Sequence, residues 1–263
     1  MITSIDQISE KIQLQNFPER IVSLVPSQTE LLYDFGLNEQ VKGITKFCTM
    51  PASWFHQKIK IGGTKNLNIK KIRDLGPDLI FANKEENEKD QVELLREIAP
   101  VWTSDVSDLV SALRMITSIG ELTGRKNKSD QIVKVISENF SNLKQAQYKP
   151  SVAYLIWYDP IMVAGGDCFI NDMISKAGFR NCFSDQSRYP KIDIEEIRQF
   201  SPELIFLSSE PFPFSEKHKR EFELLFPASA IVLVAGEMFS WYGSRLLYAP
   251  AYFRTLHVPA LDV

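Results

Sequence analysis

The stretch IRDLGPDLIFANKEEN, Ile72 to Asn87, returns 125 positions later (72 to 197) as IRQFSPELIFLSSEPF, Ile197 to Phe212. Each copy reads as the last turns of an amphipathic helix, a stop at Gly or Ser, a proline, an acidic residue, and then a short run of Leu, Ile and Phe. Proline cannot continue a helix and drives the residue before it out of the helical region. The pattern therefore predicts helix, break and buried strand, twice over. A chain that repeats this step at such a separation predicts two lobes built alike.

The segments around the repeat follow the same order in both halves. In the first, RIVSLV (20–25), VKGIT (41–45), DLIFA (78–82) and PVWTS (100–104) read as strands. A helix follows the first of them, opened by a Ser27-to-Glu30 capping box and stopped at Gly36, and further helices fall over 69–75 and 88–98. In the second half SVAYLI (151–156), NCF (181–183), ELIFL (203–207) and AIVLVA (230–235) are strands, with CFINDMISKAGF, IDIEEIRQF and EKHKREFELLF as helices. Apolar strands alternating with helices imply parallel sheets covered on both faces. Between the halves lie helical patterns over 107–124 and 128–147. The second carries apolar residues at 132, 133, 136, 140 and 143, with no Gly or Pro from 125 to 149, so it predicts a rigid strut roughly 30 Å long. The expected fold is α/β: a Rossmann-like lobe over 1–125, a connecting backbone helix over 126–149, and a second Rossmann-like lobe over 150–263. At 263 residues with 44% hydrophobic content, two modest cores are feasible.

Composition removes several function classes. A net charge of −3 gives no electrostatic footprint for nucleic acid, which is excluded as a partner. Cys48, Cys168 and Cys182 form no C-x-x-C, so reduced thiols are expected. The N-terminal MITSIDQISEKIQLQNFPERIVSLV has no apolar core of signal-peptide length, and no stretch is long enough to span a bilayer. As written, the chain reads as cytoplasmic and not membrane-embedded; a longer precursor would make it periplasmic. The fingerprints of dinucleotide, P-loop, serine-hydrolase and HExxH zinc sites are absent. His56, His218 and His257 lack metal-motif spacing.

In parallel sheets, ligands bind beyond the carboxyl ends of the strands. The segments there hold Phe47 and Trp54, Lys65 of GGTKN, Lys84 and Glu86 of NKEEN, Trp157 and Tyr158, Phe212 of SSEPFPF, and Glu237, Phe239, Trp241, Tyr242 and Arg245 of GEMFSWYGSR. Three of the four tryptophans fall after strand ends, while Trp102 sits inside a strand. Aromatics with a few charges suit a large, partly flat organic ligand. Trp157 and Tyr158 also admit a plainer role as cover for the sheet end, and NKEEN the plainer role of a solvated helix start. WYG is poor helix material and reads as an exposed loop. Arg245 is expected to pair with Glu237 or with an anionic ligand group.

RIVSLVPSQTELLYDFGL, IGGTKNLNIKKIRDLGPDLIFAN, the strut and the half from SVAYLI onward resemble the helical-backbone (class III) substrate-binding proteins of ABC importers, nearest the cobalamin and ferric-siderophore binders. The resemblance covers the chain from about residue 18. It implies two α/β lobes joined by one long helix, a ligand cleft between them, and no catalysis. It further implies aromatic ligand contacts at Phe47, Trp157 and the Glu237 to Arg245 segment. Thr64 stands where the cobalamin binders carry a tryptophan, so that contact is not implied. Of the two carboxylates with which the family docks on its permease, one is kept as Glu195 and the other is replaced by Lys70. The metal-ion branch of the class, which uses several histidines, is disfavoured here.

The leading expectation is a binding protein for a cobalamin-like corrinoid or another large metal chelate, with no intrinsic cofactor and an ABC permease as partner. The alternative is a cytoplasmic enzyme or cofactor-handling protein that reuses the fold on a small anionic substrate, with Lys84 and Glu86 in its mechanism. A third reading is a soluble sensor that passes its ligand state to a partner.

Overall fold

The computed structural model describes residues 1–144 and 147–256; His257 and positions 145 and 146 of the expected strut lie outside them. The chain divides into two units. The first comprises 1–106, 110–136 and 241–245, and the second 107–109, 137–240 and the chain from Leu246 on. Where the sequence reading ran the second lobe unbroken from residue 150, Trp241–Arg245 packs with the first unit.

The first unit opens with a hairpin, β1 (Ile2–Ile5) against β2 (Lys11–Leu14). There follow β3 (Ile21–Ser23), α1 (Pro26–Asp34), β4 (Val41–Ile44), α2 (Ala52–Gln57), β5 (Ile59–Lys60), α3 (Ile69–Asp74), β6 (Leu79–Asn83), α4 (Lys89–Arg96) and β7 (Val101–Ser104). Its sheet is parallel, in the order β5-β4-β3-β6-β7. Ile21, Val22 and the run Leu79–Ala82 are fully buried, as a parallel sheet covered on both faces requires. The hairpin is a feature that the polar N-terminal sequence does not announce. It is tied to edge strand β7 by the buried Asp6, which accepts from the Thr103 N–H at 3.1 Å, and by the Gln7 N–H, which donates to the Thr103 carbonyl at 3.1 Å. This protects an otherwise open strand edge.

Helices α5 (Leu109–Leu122) and α6 (Lys126–Ser141) follow. At 16 residues, α6 is about 24 Å long, shorter than the expected strut; its residues through Ile136 count with the first unit and those from Ser137 with the second.

The second unit contains β8 (Ser151–Trp157), β9 (Met162–Val163), α7 (Phe169–Lys176), β10 (Arg180–Asn181), α8 (Ile194–Phe200), β11 (Leu204–Ser208), α9 (Glu216–Leu225), β12 (Ala230–Val234), α10 (Glu237–Ser240) and α11 (Ala249–Phe253). Its parallel order is β10-β8-β11-β12, with β9 antiparallel to β8. The repeat is visible in the backbone. Strands β6 and β11 are offset by the same 125 positions (79 to 204), and the helix before each ends at a left-handed residue, Gly76 at φ 55° and Ser201 at φ 43°. Glycine takes that conformation freely, whereas Ser201 holds it with its hydroxyl donating to the Arg198 carbonyl at 3.1 Å.

One cap differs from expectation. Helix α1 starts at Pro26 behind Val25, the Ser27 hydroxyl has no hydrogen-bond partner among the described residues, and Glu30 is engaged elsewhere. Proline preorganises the first turn, so no capping box forms at Ser27. The box geometry appears instead on α8, between Asp193 and Glu196, and on α9, between Ser215 and His218.

Candidate functional site

In both sheets the first strand of the repeat lies inside: β3 is flanked by β4 and β6, and β8 by β10 and β11. The loops leaving β3 and β6, and those leaving β8 and β11, therefore part company beyond the carboxyl ends of the strands. An α/β sheet has its crevice at that point.

In the first unit the chain itself occupies this place. Asn83, the last residue of β6, accepts through Oδ1 from the N–H groups of Glu85 and Glu86 at 2.8 and 3.0 Å, and its amide donates to the Ser104 hydroxyl at 3.0 Å. That turn aims Glu86 at Tyr242, whose hydroxyl donates to Oε1 at 3.1 Å. Arg245 makes a two-pronged contact with Glu30 of α1, Nη2 to Oε1 at 2.6 Å and Nε to Oε2 at 3.1 Å. Both side chains are close to nine-tenths buried, and the guanidinium lies 5.2 Å from the centre of the Trp241 ring. Gly243 is needed for this approach, since a Cβ there would stand 2.4 Å from the Ser27 carbonyl oxygen. Burial, and then the nearby Glu86 carboxylate, push the Tyr242 phenol well above its ordinary range, so it serves as a donor.

Beside this plug, at the end of β4, Phe47 is presented to solvent at 52% exposure. The turn beneath it is held firmly. The Lys46 N–H donates to the Gly62 carbonyl at 2.8 Å, and the next residue, Cys48, is fully buried with its sulfur 3.1 Å from the hydroxyls of both Thr29 and Thr45. Burial pushes the Cys48 thiol up to about 11, so it is an anchor rather than a nucleophile.

In the second unit the corresponding place is lined with rings. Trp157, the last residue of β8, is 38% exposed, and its indole N–H donates to the Asp159 carbonyl at 3.1 Å. Phe212 meets it edge-on at 5.8 Å and stacks on Tyr158 at 5.6 Å, while its own N–H donates to the Ile156 carbonyl at 3.3 Å. His218 and Phe214 complete the group, 4.9 and 6.3 Å from Tyr158. The Tyr158 hydroxyl donates to Glu221 at 2.6 Å, and the ring lines a cavity of about 270 Å³ with Ile161, Ile194 and Leu225. The hydrogen bond to Glu221 raises the Tyr158 phenol.

The residues expected to face a ligand thus separate. Phe47, Trp157, Tyr158 and Phe212 are exposed or half-buried at strand ends. Trp54 is not at a strand end: it is buried on α2, edge-on to Tyr33 at 5.4 Å, with its indole N–H on Asn38. Phe239 is core, packed at 5.1 Å on Tyr154 and 4.9 Å on Phe253. Trp241 and Tyr242 are buried, so WYG is not an exposed loop, because Gly243 lets it press onto α1. Arg245 pairs with Glu30 and not with Glu237; Glu237 receives the Ser209 hydroxyl at 3.3 Å. Lys84 pairs with Asp105 at 2.6 Å, and Lys65 with Glu88 at 3.3 Å. Phe214 and Glu221 join the Tyr158 group in addition to the expected residues; the alternating PFPF run signals one ring turned inward, Phe214, and one outward, Phe212. Among the described residues no group of three or more His, Cys, Asp or Glu converges as metal ligands, and no helix is long and apolar enough to cross a membrane.

Each of the two α/β units is built on a largely parallel sheet and displays aromatics at its strand ends. The family model described as periplasmic binding protein matches residues 21–224, and the chain belongs to that family. It is 28% identical over 215 residues to the uncharacterized ABC transporter substrate-binding lipoprotein YvrC of Bacillus subtilis, covering 78% of this chain and 68% of that protein. To the vitamin B12-binding protein of Vibrio parahaemolyticus it is 24% identical over 196 residues, 72% of this chain and 70% of that one. Among solved structures, the periplasmic heme-binding protein RhuT from Roseiflexus sp. RS-1 in apo form matches with a TM-score of 0.77 at 19% identity, over 89% of this chain and 97% of that one, a likeness of fold.

Proposed function

We propose that this protein is a noncatalytic substrate-binding protein of an ABC importer whose ligand is a corrinoid or another large metal chelate such as haem. The observation that carries the reading is the pair Phe47 and Trp157. Each is a large aromatic left exposed at the carboxyl end of a parallel strand, on a turn fixed by hydrogen bonds or a buried neighbour. Exposed rings that are held still offer stacking area at little conformational cost. The relatives named for vitamin B12 and haem add the ligand class. An enzyme acting on a small anion is less well supported, because Lys84 and Glu86, the residues it relied on, are engaged with Asp105 and Tyr242.

A permease would meet different charges on the two units. Lys70 on α3 and Glu195 on α8 occupy the repeat-equivalent position, 125 apart (70 to 195), with side chains 86% and 70% exposed.

The test is thermal unfolding of the purified protein against cobalamin, cobinamide, haem and ferric siderophores. A ligand at a hundredfold over its Kd stabilises by about 2.7 kcal/mol, a rise of several degrees at this chain length. A flat response across the panel would reject the reading.

A further inference from the structure

We propose that Lys46 recognises an acidic group carried by the ligand, so that the protein selects a flat macrocycle bearing a carboxylate or phosphodiester over its uncharged counterpart. The inference rests on the binding reading above and adds a charge requirement to it.

Three cationic side chains at this end of the first unit are committed to carboxylates. Lys65 pairs with Glu88 at 3.3 Å, Lys84 with Asp105 at 2.6 Å, and Arg245 with Glu30 at 2.6 Å. Lys46 is exposed and has no carboxylate within ion-pair distance among the described residues. Its ammonium rests over the Phe47 ring, 5.1 Å from the centroid. An exposed cation–π contact of this kind is weak. It holds the charge at the exposed ring of Phe47 without neutralising it.

The backbone is shaped to keep both side chains there. The Lys46 N–H is bonded to the Gly62 carbonyl, and Gly63 lies directly beneath the pair. A Cβ on Gly63 would stand 3.1 Å from Phe47 Cε2 and 3.4 Å from Lys46 Cε, tighter than ordinary contact. The missing side chain lets the lysine stem and the ring lie against the loop together. When a macrocycle stacks on Phe47, an acid on its rim draws the ammonium off the ring. A weak contact is exchanged for a charge-assisted hydrogen bond, and the ring face is freed in the same movement.

The experiment is a titration cycle with four probes: haem, haem dimethyl ester, cobalamin, and cobinamide, which lacks the nucleotide phosphodiester. Each is titrated by absorbance into the wild-type chain and into Lys46→Met, which keeps the apolar stem. In the wild type, the acidic member of whichever pair binds is expected to be about tenfold tighter than its neutral counterpart. In Lys46→Met that ratio falls to about one, and the neutral member binds no more weakly than it does to the wild type. The wild-type ratio also shrinks as salt rises, because the contact is solvent-exposed. Which pair responds separates a carboxylate from a phosphodiester as the source of the charge. A ratio that persists in Lys46→Met overturns the role of Lys46 and leaves the binding reading standing. Failure of all four probes to bind overturns both.

Discussion

Strands β6 and β11 are the same step of the repeat, yet the loops beyond them solve different problems. After β6 the polar Asn83 organises a tight turn, and the crevice is filled by Tyr242, Gly243 and Arg245 through a phenol, a close backbone approach and a buried ion pair. After β11 the equivalent residue is Ser208. Its hydroxyl donates to the Glu210 carbonyl at 2.6 Å, and the chain runs on into PFPF, whose rings gather with Trp157 and Tyr158. A repeated backbone step therefore fixes where a loop begins without fixing what the loop is for. The first crevice is filled by the chain itself, and Phe47 stands exposed beside it. The second keeps its aromatics at the surface.

This contrast is sharpest at the ion pair. Glu30→Gln or Arg245→Met strands a largely buried charge, so each is expected to lower unfolding free energy by about 3 kcal/mol, read from urea denaturation. The double replacement Glu30→Gln/Arg245→Met removes both charges and is expected to lose less than the sum of the two single variants; simple additivity would mean that the pair is not coupled.

Tryptophans test the same division. Trp241→Ala deletes a buried side chain and is expected to cost about 3 kcal/mol of stability. Trp157→Ala is expected to cost under about 1 kcal/mol, because its ring is 38% exposed, while weakening ligand binding at least about tenfold. Equal losses of stability would dissolve the distinction.

Phenols make a gentler version of the test. Tyr242→Phe removes a buried donor to Glu86 and is expected to cost about 1–2 kcal/mol; Tyr158→Phe, whose bond to Glu221 is largely solvated, is expected to cost a few tenths. The smallest expected signal is chemical. All three cysteines are buried, and Cys48, Cys168 and Cys182 are each raised by burial, Cys48 to about 11. The reactive thiolate is thus suppressed at pH 8, and iodoacetamide is expected to label none of them until guanidinium is added, as counted by mass spectrometry.

The strands and most helices were legible because apolar runs such as LIFAN and LIFLS must be buried on both faces, and because Gly and Pro mark the helix ends. The hairpin at Ile2–Ile5 and Lys11–Leu14 was not, since it depends on Asp6 meeting the Thr103 N–H, 97 residues away. Glu30 and Arg245 are 215 apart, and a capping box was the nearer local explanation for Glu30. Trp157 and Trp241 look alike in sequence, each an aromatic after a strand. What separates them is cover supplied by distant residues, for which only Gly243 left a trace: glycine after two large rings signals close backbone approach. The candidate site was legible as residue types at strand ends, and illegible as to which of those residues remain exposed.

The proposed function predicts that Phe47 and Trp157, exposed aromatics on fixed turns, are each needed for binding a macrocyclic ligand. Its most direct test is an absorbance titration of cobalamin and haem into the wild-type chain and the double variant Phe47→Ala/Trp157→Ala, with the melting temperature of each recorded without ligand. We expect saturable one-to-one binding of one of these macrocycles to the wild type, and at least about a hundredfold weaker binding to the double variant at a nearly unchanged melting temperature. Undiminished binding in the double variant, or no binding of either macrocycle to the wild type, would contradict the account.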